Sequence, residues 1–260
     1  MGETDVIRDL THQGISRTLT HLLAGYKLCR KYHDNYLLHL PHSINTMLPA
    51  YNFDRALTRR CLPRPECLID VGANASQMAR LLVLGCASNV FVHSFEPNPH
   101  TTCMGTRHMV ALMSETKNIT LTVPNGDSLC GMTVGGINWG KKTQTMPVWG
   151  WRFDEYVDAG KMPMPLCSGP VCMKIDTEGA ELEVLKGCGP YLGCIDYLIV
   201  EMQNRVRSGA PPYSQFQLLR HLVKYGFNEM EILFSSWEDT ESPSASEVLF
   251  WRDNAQEHKP

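Results

Sequence analysis

Hydrophobic and polar positions follow two different patterns along the chain, and the pattern changes near residue 60. Before that point, apolar residues recur on one helical face, at positions 15, 19, 22, 23 and 26. We expect Pro41 and Pro49 to interrupt this helical segment, since proline removes a backbone donor. The sequence therefore predicts a helical N-terminal extension at 1–60 and a second domain at 61–260.

From Cys67 onward, apolar runs of strand length alternate with helical stretches. The predicted strands are Cys67–Val71, Val90–Phe95, Ile119–Val123, Val171–Ile175, Tyr197–Val200, Glu231–Phe234 and Val248–Trp251. The predicted helices are Gln77–Leu84, Glu178–Lys186 and Gln215–Lys224. Strand–helix alternation implies an α/β fold, with a mostly parallel seven-stranded sheet and helices on both faces. The last two strands have no helix between them and predict a closing antiparallel pair.

The stretch Asn125–Trp151 differs from its surroundings, because it is rich in glycine and carries Trp139, Trp149 and Trp151. We expect loops or a short hairpin here, inserted between the third and fourth strands at the ligand edge of the sheet. The tryptophans would stack on an acceptor ring or simply cover the sheet, and the sequence leaves both readings open.

Composition narrows the class of protein. With 43% hydrophobic and 20% charged residues, the 260-residue chain is globular rather than disordered. A net charge of −3 disfavours a general nucleic-acid binder, and no apolar run reaches the length of a membrane span. The ten cysteines form no C-x-x-C pair, and the first residues are polar rather than signal-like. We therefore expect a soluble cytoplasmic protein.

The first candidate for chemistry is the segment Asp70–Asn74, where an apolar strand runs into a turn of small residues. Gly72 and Ala73 allow the backbone to approach a ligand, and a following helix would offer free N–H groups. The later glycines of the G-x-G-x-x-G dinucleotide fingerprint are missing, which disfavours a nicotinamide-dependent oxidoreductase. A ligand without a pyrophosphate fits better, although a purely structural turn stays possible.

A second candidate is Glu96, which directly follows the predicted second strand, 24 residues after Gly72. An acid at this place can accept hydrogen bonds from both hydroxyls of a ribose. Pro97 and Pro99 end the strand and restrict the turn. Together with the glycine turn, this position predicts a nucleoside-binding edge.

Three acids follow the predicted fourth strand, at Asp176, Glu178 and Glu181. We expect Asp176 to face the pocket, and Glu178 and Glu181 to share one side of a helix. Lys174 is expected to point to the opposite face or to solvent. The alternative is that Asp176 or the next residue, Thr177, caps the helix that follows.

Five segments resemble the FkbM family of methyltransferases, in the family's order over residues 65–253. They are D-V-G-A-N at 70–74, F-E-P-N-P at 95–99, F-D-E-Y-V at 153–157, K-I-D-T-E-G-A-E-L-E-V-L-K-G at 174–187 and I-V-E-M at 199–202. The block at 174–187 is the most specific of them. Ser76 stands where the family usually has glycine, and Phe153 replaces a usual leucine.

This resemblance implies a Rossmann-like class I methyltransferase fold that binds S-adenosylmethionine across the carboxyl edge of its sheet. It also implies O-methylation of a hydroxyl on a small molecule or a glycan. The residues that would line the methionine end of the cofactor are Asp70, Gly72, Ala73 and Asn74. Glu96 would hold the ribose, and Asp176 and Glu178 would flank the reacting centre. A non-catalytic adenosylmethionine-binding protein of the same fold is the alternative.

Methyl transfer to a hydroxyl needs in-line positioning and a base within hydrogen-bond reach. Asp176 is the first candidate base, Glu178 the second and Glu201, at the end of the fifth strand, the third. His93 lies inside a strand, where a buried and hydrogen-bonded histidine is expected rather than a base. We predict no metal, but a divalent ion bound by Asp176, Glu178 and Glu201 is a further alternative, since hard cations prefer oxygen ligands.

Overall fold

The computed structural model describes residues 42–74, 76, 79, 90–124, 133–134, 143–163, 168–203, 213–237 and 243–252. Most of the predicted helix Gln77–Leu84, Trp139, and much of the predicted extension and glycine-rich insert lie outside the described residues. The division of the chain into domains at residue 60 stays a prediction.

The described residues form eleven strands in two sheets. In chain order the strands are β1 (Cys67–Val71), β2 (Phe91–Phe95), β3 (Thr106–His108), β4 (Ala111–Leu112), β5 (Lys117–Pro124), β6 (Thr133–Val134), β7 (Thr143–Trp151), β8 (Val171–Ile175), β9 (Tyr197–Gln203), β10 (Phe227–Trp237) and β11 (Pro243–Arg252). The helices are α1 (His42–Arg59), α2 (Phe153–Asp158), α3 (Glu181–Gly187) and α4 (Gln215–Val223), with a 3₁₀ helix at Gly189–Cys194.

The larger sheet has seven strands in the order β10-β11-β9-β8-β1-β2-β3. Strands β3, β2, β1, β8 and β9 run parallel, and β11 inserts antiparallel between β9 and β10. This is the predicted α/β arrangement, a mostly parallel seven-stranded sheet with a closing antiparallel strand pair. The strand order reverses between β1 and β8, and open α/β sheets bind ligands at the carboxyl edge beside such a reversal.

The predicted third strand, Ile119–Val123, is a strand, but its predicted place in the large sheet is wrong. The segment around Ile119 and Leu121 forms β5, which belongs to a second, four-stranded sheet of order β4-β7-β5-β6. Its apolar residues alternate because one face packs on Met113 and Ala180, as in a sheet that is buried on one side. The third strand of the large sheet is Thr106–His108, which is too short and polar to show a period. The described strands beside and within the glycine-rich insert, β5, β6 and β7, therefore belong to the second sheet and not to the large one.

One face of the large sheet is covered by α1, whose Phe53 and Leu57 pack against Tyr197 and Leu249 in one buried cluster. The expectation that Pro49 interrupts the helical segment is wrong, because Pro49 lies inside α1. Burial of this helix face offsets the backbone hydrogen bond that proline removes. The opposite face is covered by α2, α3 and α4, which share a second apolar cluster with the strands.

Two further observations concern membrane-spanning helices and the state of the cysteines. In the described ranges, no helix is both long and apolar enough to cross a bilayer. The described cysteines are free thiols, and Cys67, Cys172 and Cys188 are buried in the core. These three behave as small apolar residues.

Candidate cofactor and acceptor site

The glycine turn after β1 is held between the ends of two neighbouring strands. The amides of Gly72 and Ala73 donate to the Phe95 carbonyl at 3.0 and 3.2 Å, and the Asp176 amide donates to the Val71 carbonyl at 3.0 Å. Gly72 has φ +71°, and a Cβ at this position would lie 1.9 Å from the Asp176 carbonyl oxygen. Glycine is therefore required here by both conformation and space.

Two residues shortly after Gly72 are also left-handed, with φ +47° at Asn74 and +51° at Ser76. Asparagine tolerates this conformation well, whereas serine does so less readily. The Ser76 hydroxyl is buried, accepts a hydrogen bond from the Met104 amide at 2.9 Å and lies 3.3 Å from the Ser94 hydroxyl. These contacts explain how serine occupies a position where the family resemblance leads one to expect glycine.

Glu96 connects the glycine turn to the end of β2. One carboxylate oxygen accepts from the Asn74 amide and the other from the Asn98 amide, both at 2.8 Å. Burial raises the pKa of Glu96, although both hydrogen bonds act in the opposite direction. A carboxylate has about four acceptor positions, so each oxygen retains one for a ligand hydroxyl.

Asp70 lies in the middle of the sheet and is completely buried. Lys174 Nζ is 3.7 Å from Asp70 Oδ1, which is an ion pair beyond hydrogen-bond distance. Within the described ranges, neither Asp70 oxygen has a hydrogen-bond partner. Burial raises the pKa of Asp70, Lys174 lowers it, and Asp176 raises it. Buried carboxylate oxygens in this state are the kind that a bound donor satisfies.

Lys174 faces Asp176, so the expectation that it points away is wrong. Its Nζ donates to Asp176 Oδ2 at 3.0 Å, and its side chain is only 5% exposed. The physical reason is the two-residue period of a strand, which puts positions 174 and 176 on one face. Burial acts to lower the pKa of Lys174, but Asp176 and Asp70 outweigh burial and raise it.

Glu178 and Glu181 do not share one side of a helix, contrary to expectation. Glu178 has φ +55° and precedes α3, which begins at Glu181. Glu181 is buried and accepts from the Thr177 amide and hydroxyl, the Gly179 amide and the Tyr213 hydroxyl. Glu181 is thus a structural group that holds the turn after β8.

The alternative that Asp176 or Thr177 caps the helix after β8 is also wrong. The residue before α3 is Ala180, and no side chain caps this end. Asp176 lies four residues before that position and is instead paired with Lys174. Its side chain is 31% exposed, which leaves it accessible to an acceptor.

Glu247 is a further acid at the site, and it lies in none of the sequence motifs. It stands directly opposite Glu201 in the pairing of β11 with β9. Gln203 donates a hydrogen bond to Glu201, while Glu247 Oε2 is buried with no hydrogen-bond partner among the described residues. Burial, followed by Asp176, raises the pKa of both carboxyls, and Glu247 further raises the pKa of Glu201. The signal in the sequence was a single acid inside the alternating segment before Val248.

His93 is hydrogen-bonded inside its strand, as expected, and is partly buried. Its Nδ1 lies 3.0 Å from His108 Nε2, and His108 Nδ1 lies 3.0 Å from the Tyr156 hydroxyl. Burial lowers the pKa of His93. In the part of the chain that the structure describes, no three His, Cys, Asp or Glu side chains converge as metal ligands would. The alternative of a metal at Asp176, Glu178 and Glu201 therefore gains no support.

Solved structures of two methyltransferases share the overall arrangement at a low level. The magnesium protoporphyrin IX methyltransferase ChlM of Synechocystis PCC 6803, solved with bound SAM, has a TM-score of 0.41 at 8% identity, over 97% of this chain and 98% of that one. Precorrin-6y C5,15-methyltransferase of Geobacter metallireducens GS-15 has a TM-score of 0.35 at 10% identity, over 86% and 96%. Similarity at this level says nothing about what this chain binds.

Sequence comparison finds one clearer relative. No protein-family model matches the chain. The chain is 30% identical over 159 residues to the hexuronic acid methyltransferase AglP of Haloferax volcanii. The alignment covers 59% of this chain and 61% of AglP, so it spans about three fifths of that relative's length.

Proposed function

We propose that this protein is an S-adenosylmethionine-dependent methyltransferase that methylates a hydroxyl of a small molecule or sugar. The observation that carries the proposal is the Glu96 carboxylate, which is hydrogen-bonded to the Asn74 amide of the glycine turn, at the carboxyl edge of a class I methyltransferase sheet. Similarity to AglP supports methyl transfer and a sugar acceptor. Asn74 and Glu96 also lie in two of the segments that resemble the FkbM family, 70–74 and 95–99.

The site fits the cofactor on two counts. Glu96 retains acceptor positions for two ribose hydroxyls, and the orphaned Asp70 oxygens suit a donor such as an ammonium group. In this assignment Asp70, Gly72, Ala73 and Asn74 hold the methionine end. No group is needed for a pyrophosphate, which agrees with the missing dinucleotide glycines.

The acceptor is proposed to lie against the end of β8. Asp176 is accessible there and held in place by Lys174, so it is the first candidate to take the proton from an attacking hydroxyl; Glu178 is the second. S-adenosylmethionine would supply an electrophilic methyl group, and the protein's part is to hold the acceptor oxygen in line with it. Carboxylates around the site also favour binding of a cationic sulfonium over a neutral thioether.

Calorimetry with S-adenosylmethionine, S-adenosylhomocysteine and NAD tests the cofactor. We expect the first two to bind and NAD to give no signal. A methyl-transfer screen against sugar, polyketide and lipid hydroxyls, read by mass spectrometry, tests the reaction. Binding without transfer to any acceptor would instead identify a non-catalytic adenosylmethionine-binding protein, and binding of NAD alone would overturn the proposal.

A further inference from the structure

A row of charged side chains crosses one face of the large sheet near its carboxyl edge. The members of the row are Asp70, Lys174, Asp176, Glu201 and Glu247, on or just after β1, β8, β9 and β11. Asp70 is paired in register with Lys174, and Glu201 with Glu247. Closer to the amino ends of the parallel strands the same face is apolar, at Leu68, Cys172, Ile199 and Leu249. The row therefore begins where the cover of apolar side chains ends.

Within this row, the antiparallel pairing of β11 with β9 holds Glu201 and Glu247 directly opposite each other. Residues directly opposite in an antiparallel ladder have Cβ atoms about 4.5–5.5 Å apart. Two carboxyls at this separation, out of bulk water, resist ionising together, so one proton is retained between them. Asp176 and Glu181 add negative charge to this pair, and Lys174 is the cation that faces it.

Lys174 cannot neutralise the whole row. It donates to Asp176 at 3.0 Å and lies 3.7 Å from Asp70, so its charge is already shared between two carboxylates. Tyr213, the remaining titratable neighbour of Glu201, is hydrogen-bonded to Glu181. The neighbours of the Glu201–Glu247 pair thus leave it to be neutralised by a proton.

We propose that Glu201 and Glu247 share one proton and together form a subsite for hydroxyl groups of an uncharged sugar acceptor. This inference rests on the proposed function. A protonated carboxyl donates and its ionised partner accepts, which complements a hydroxyl that also does both. One observation points to a ligand there: Glu247 Oε2 is buried without a hydrogen-bond partner among the described residues.

The subsite also selects on charge. A sugar carboxylate placed here would meet Asp176 and an ionised member of the pair, with Lys174 already engaged. Like charges at this distance repel, and repulsion is a common source of specificity. The acceptor is therefore a neutral sugar rather than a hexuronic acid.

Methyl β-glucoside and methyl β-glucuronoside form a matched pair of probes for the selectivity. Methyl transfer is measured with both sugars for the wild type, Glu247→Gln, Glu201→Gln and the control Glu229→Gln, which lies at the other end of the same hairpin. We expect the wild type to have a KM for the glucoside at least tenfold below that for the glucuronoside. Either subsite variant should raise the glucoside KM tenfold or more, while the control matches the wild type.

The proposal is overturned if the glucuronoside is preferred, if neither sugar is used, or if both subsite variants keep the wild-type KM. Calorimetry with S-adenosylhomocysteine separates this failure from that of the proposed function. Cofactor affinity within twofold of wild type in Glu247→Gln shows that the cofactor site is intact. Absence of cofactor binding by the wild type would refute the methyltransferase assignment instead.

Proton sharing has a readout that needs no acceptor. Burial and neighbouring carboxylates raise the pKa of Glu247 from 4.5 to about 8, so its stabilising contribution is complete below pH 4.5 and is lost as pH rises toward 8. The free energy of unfolding of the wild type should fall across this window. Glu247→Gln should show a smaller fall, and Glu229→Gln the wild-type fall. Equal falls in all three proteins would contradict a shared proton.

Discussion

Lys174 Nζ donates a hydrogen bond to Asp176 Oδ2 at 3.0 Å and at the same time lies 3.7 Å from Asp70 Oδ1. One ammonium group thus connects the strand that leads into the glycine turn with the strand end at the proposed acceptor site. Its position between two carboxylates makes it a structural and electrostatic centre of the site. Five predictions follow from this geometry and from the contacts around it.

Replacing Lys174 by methionine should destabilise the protein by about 3 kcal/mol, since breaking a buried ion pair leaves uncompensated charge. The loss should be smaller at pH 5 than at pH 8, because Asp70, whose pKa burial already raises, protonates more readily at low pH once its cation is removed. Chemical denaturation at both pH values measures this. The control Lys117→Met removes an exposed pair with Glu115 and should cost under about 1 kcal/mol; equal losses in both variants would contradict the prediction.

Asp176→Asn should preserve cofactor binding and lower kcat by about 10²–10⁴-fold, the usual effect of removing one acid–base group. The amide keeps the shape of the side chain but cannot take the acceptor's proton. Kinetics at saturating S-adenosylmethionine, with calorimetry as a check on cofactor binding, measure the effect. A variant that turns over normally would remove Asp176 from catalysis and direct attention to Glu178.

Gly72→Ala should abolish cofactor binding and destabilise the fold by about 3 kcal/mol, because the new Cβ overlaps the Asp176 carbonyl in a left-handed conformation. Gly160→Ala is a matched control. Gly160 has φ +66°, but a Cβ there meets nothing within 4 Å. The control should lose only about 1 kcal/mol from backbone strain. Comparable melting temperatures for the two variants would show that the overlap is relieved by a small backbone shift.

Glu96→Gln should weaken S-adenosylmethionine binding by about 1–3 kcal/mol, the range for a lost charge-assisted hydrogen bond. Glutamine retains one oxygen for the backbone amides that Glu96 holds, so it perturbs the turn less than alanine would. Calorimetry measures the affinity, and the exposed Glu115→Gln serves as the control. An unchanged dissociation constant in Glu96→Gln would place the ribose elsewhere.

His108 should make the protein less stable in acid. Burial, and then His93, lower the pKa of His108 from 6.5 to about 4, so the unfolded chain binds a proton in this window that the folded protein does not. The difference in free energy of unfolding between the wild type and His108→Gln should therefore fall by on the order of 1 kcal/mol between pH 6.5 and 4. Thermal unfolding across this range measures this difference, and the exposed control His100→Gln should differ from the wild type by the same amount at every pH.

The strongest local signals in the sequence located much of the fold. The runs Cys67–Val71 and Val171–Ile175 are strands with the predicted bounds, because every residue in them is buried and all but Asp70 and Lys174 are apolar. The closing pair was also found, although its strands extend several residues further, to Phe227–Trp237 and Pro243–Arg252. Glycine at position 72 marked a turn whose conformation only glycine adopts freely.

Tertiary structure decided what depends on register and on neighbours distant in sequence. Thr106–His108 has no period to detect, and it is a strand because β2 offers it an edge with which to pair. Glu201 and Glu247 stand opposite each other only because β11 folds back antiparallel beside β9. Composition and periodicity report which side chains avoid water, whereas hydrogen-bonded pairing between strands determines which charges meet, and a single-sequence pattern does not contain that pairing.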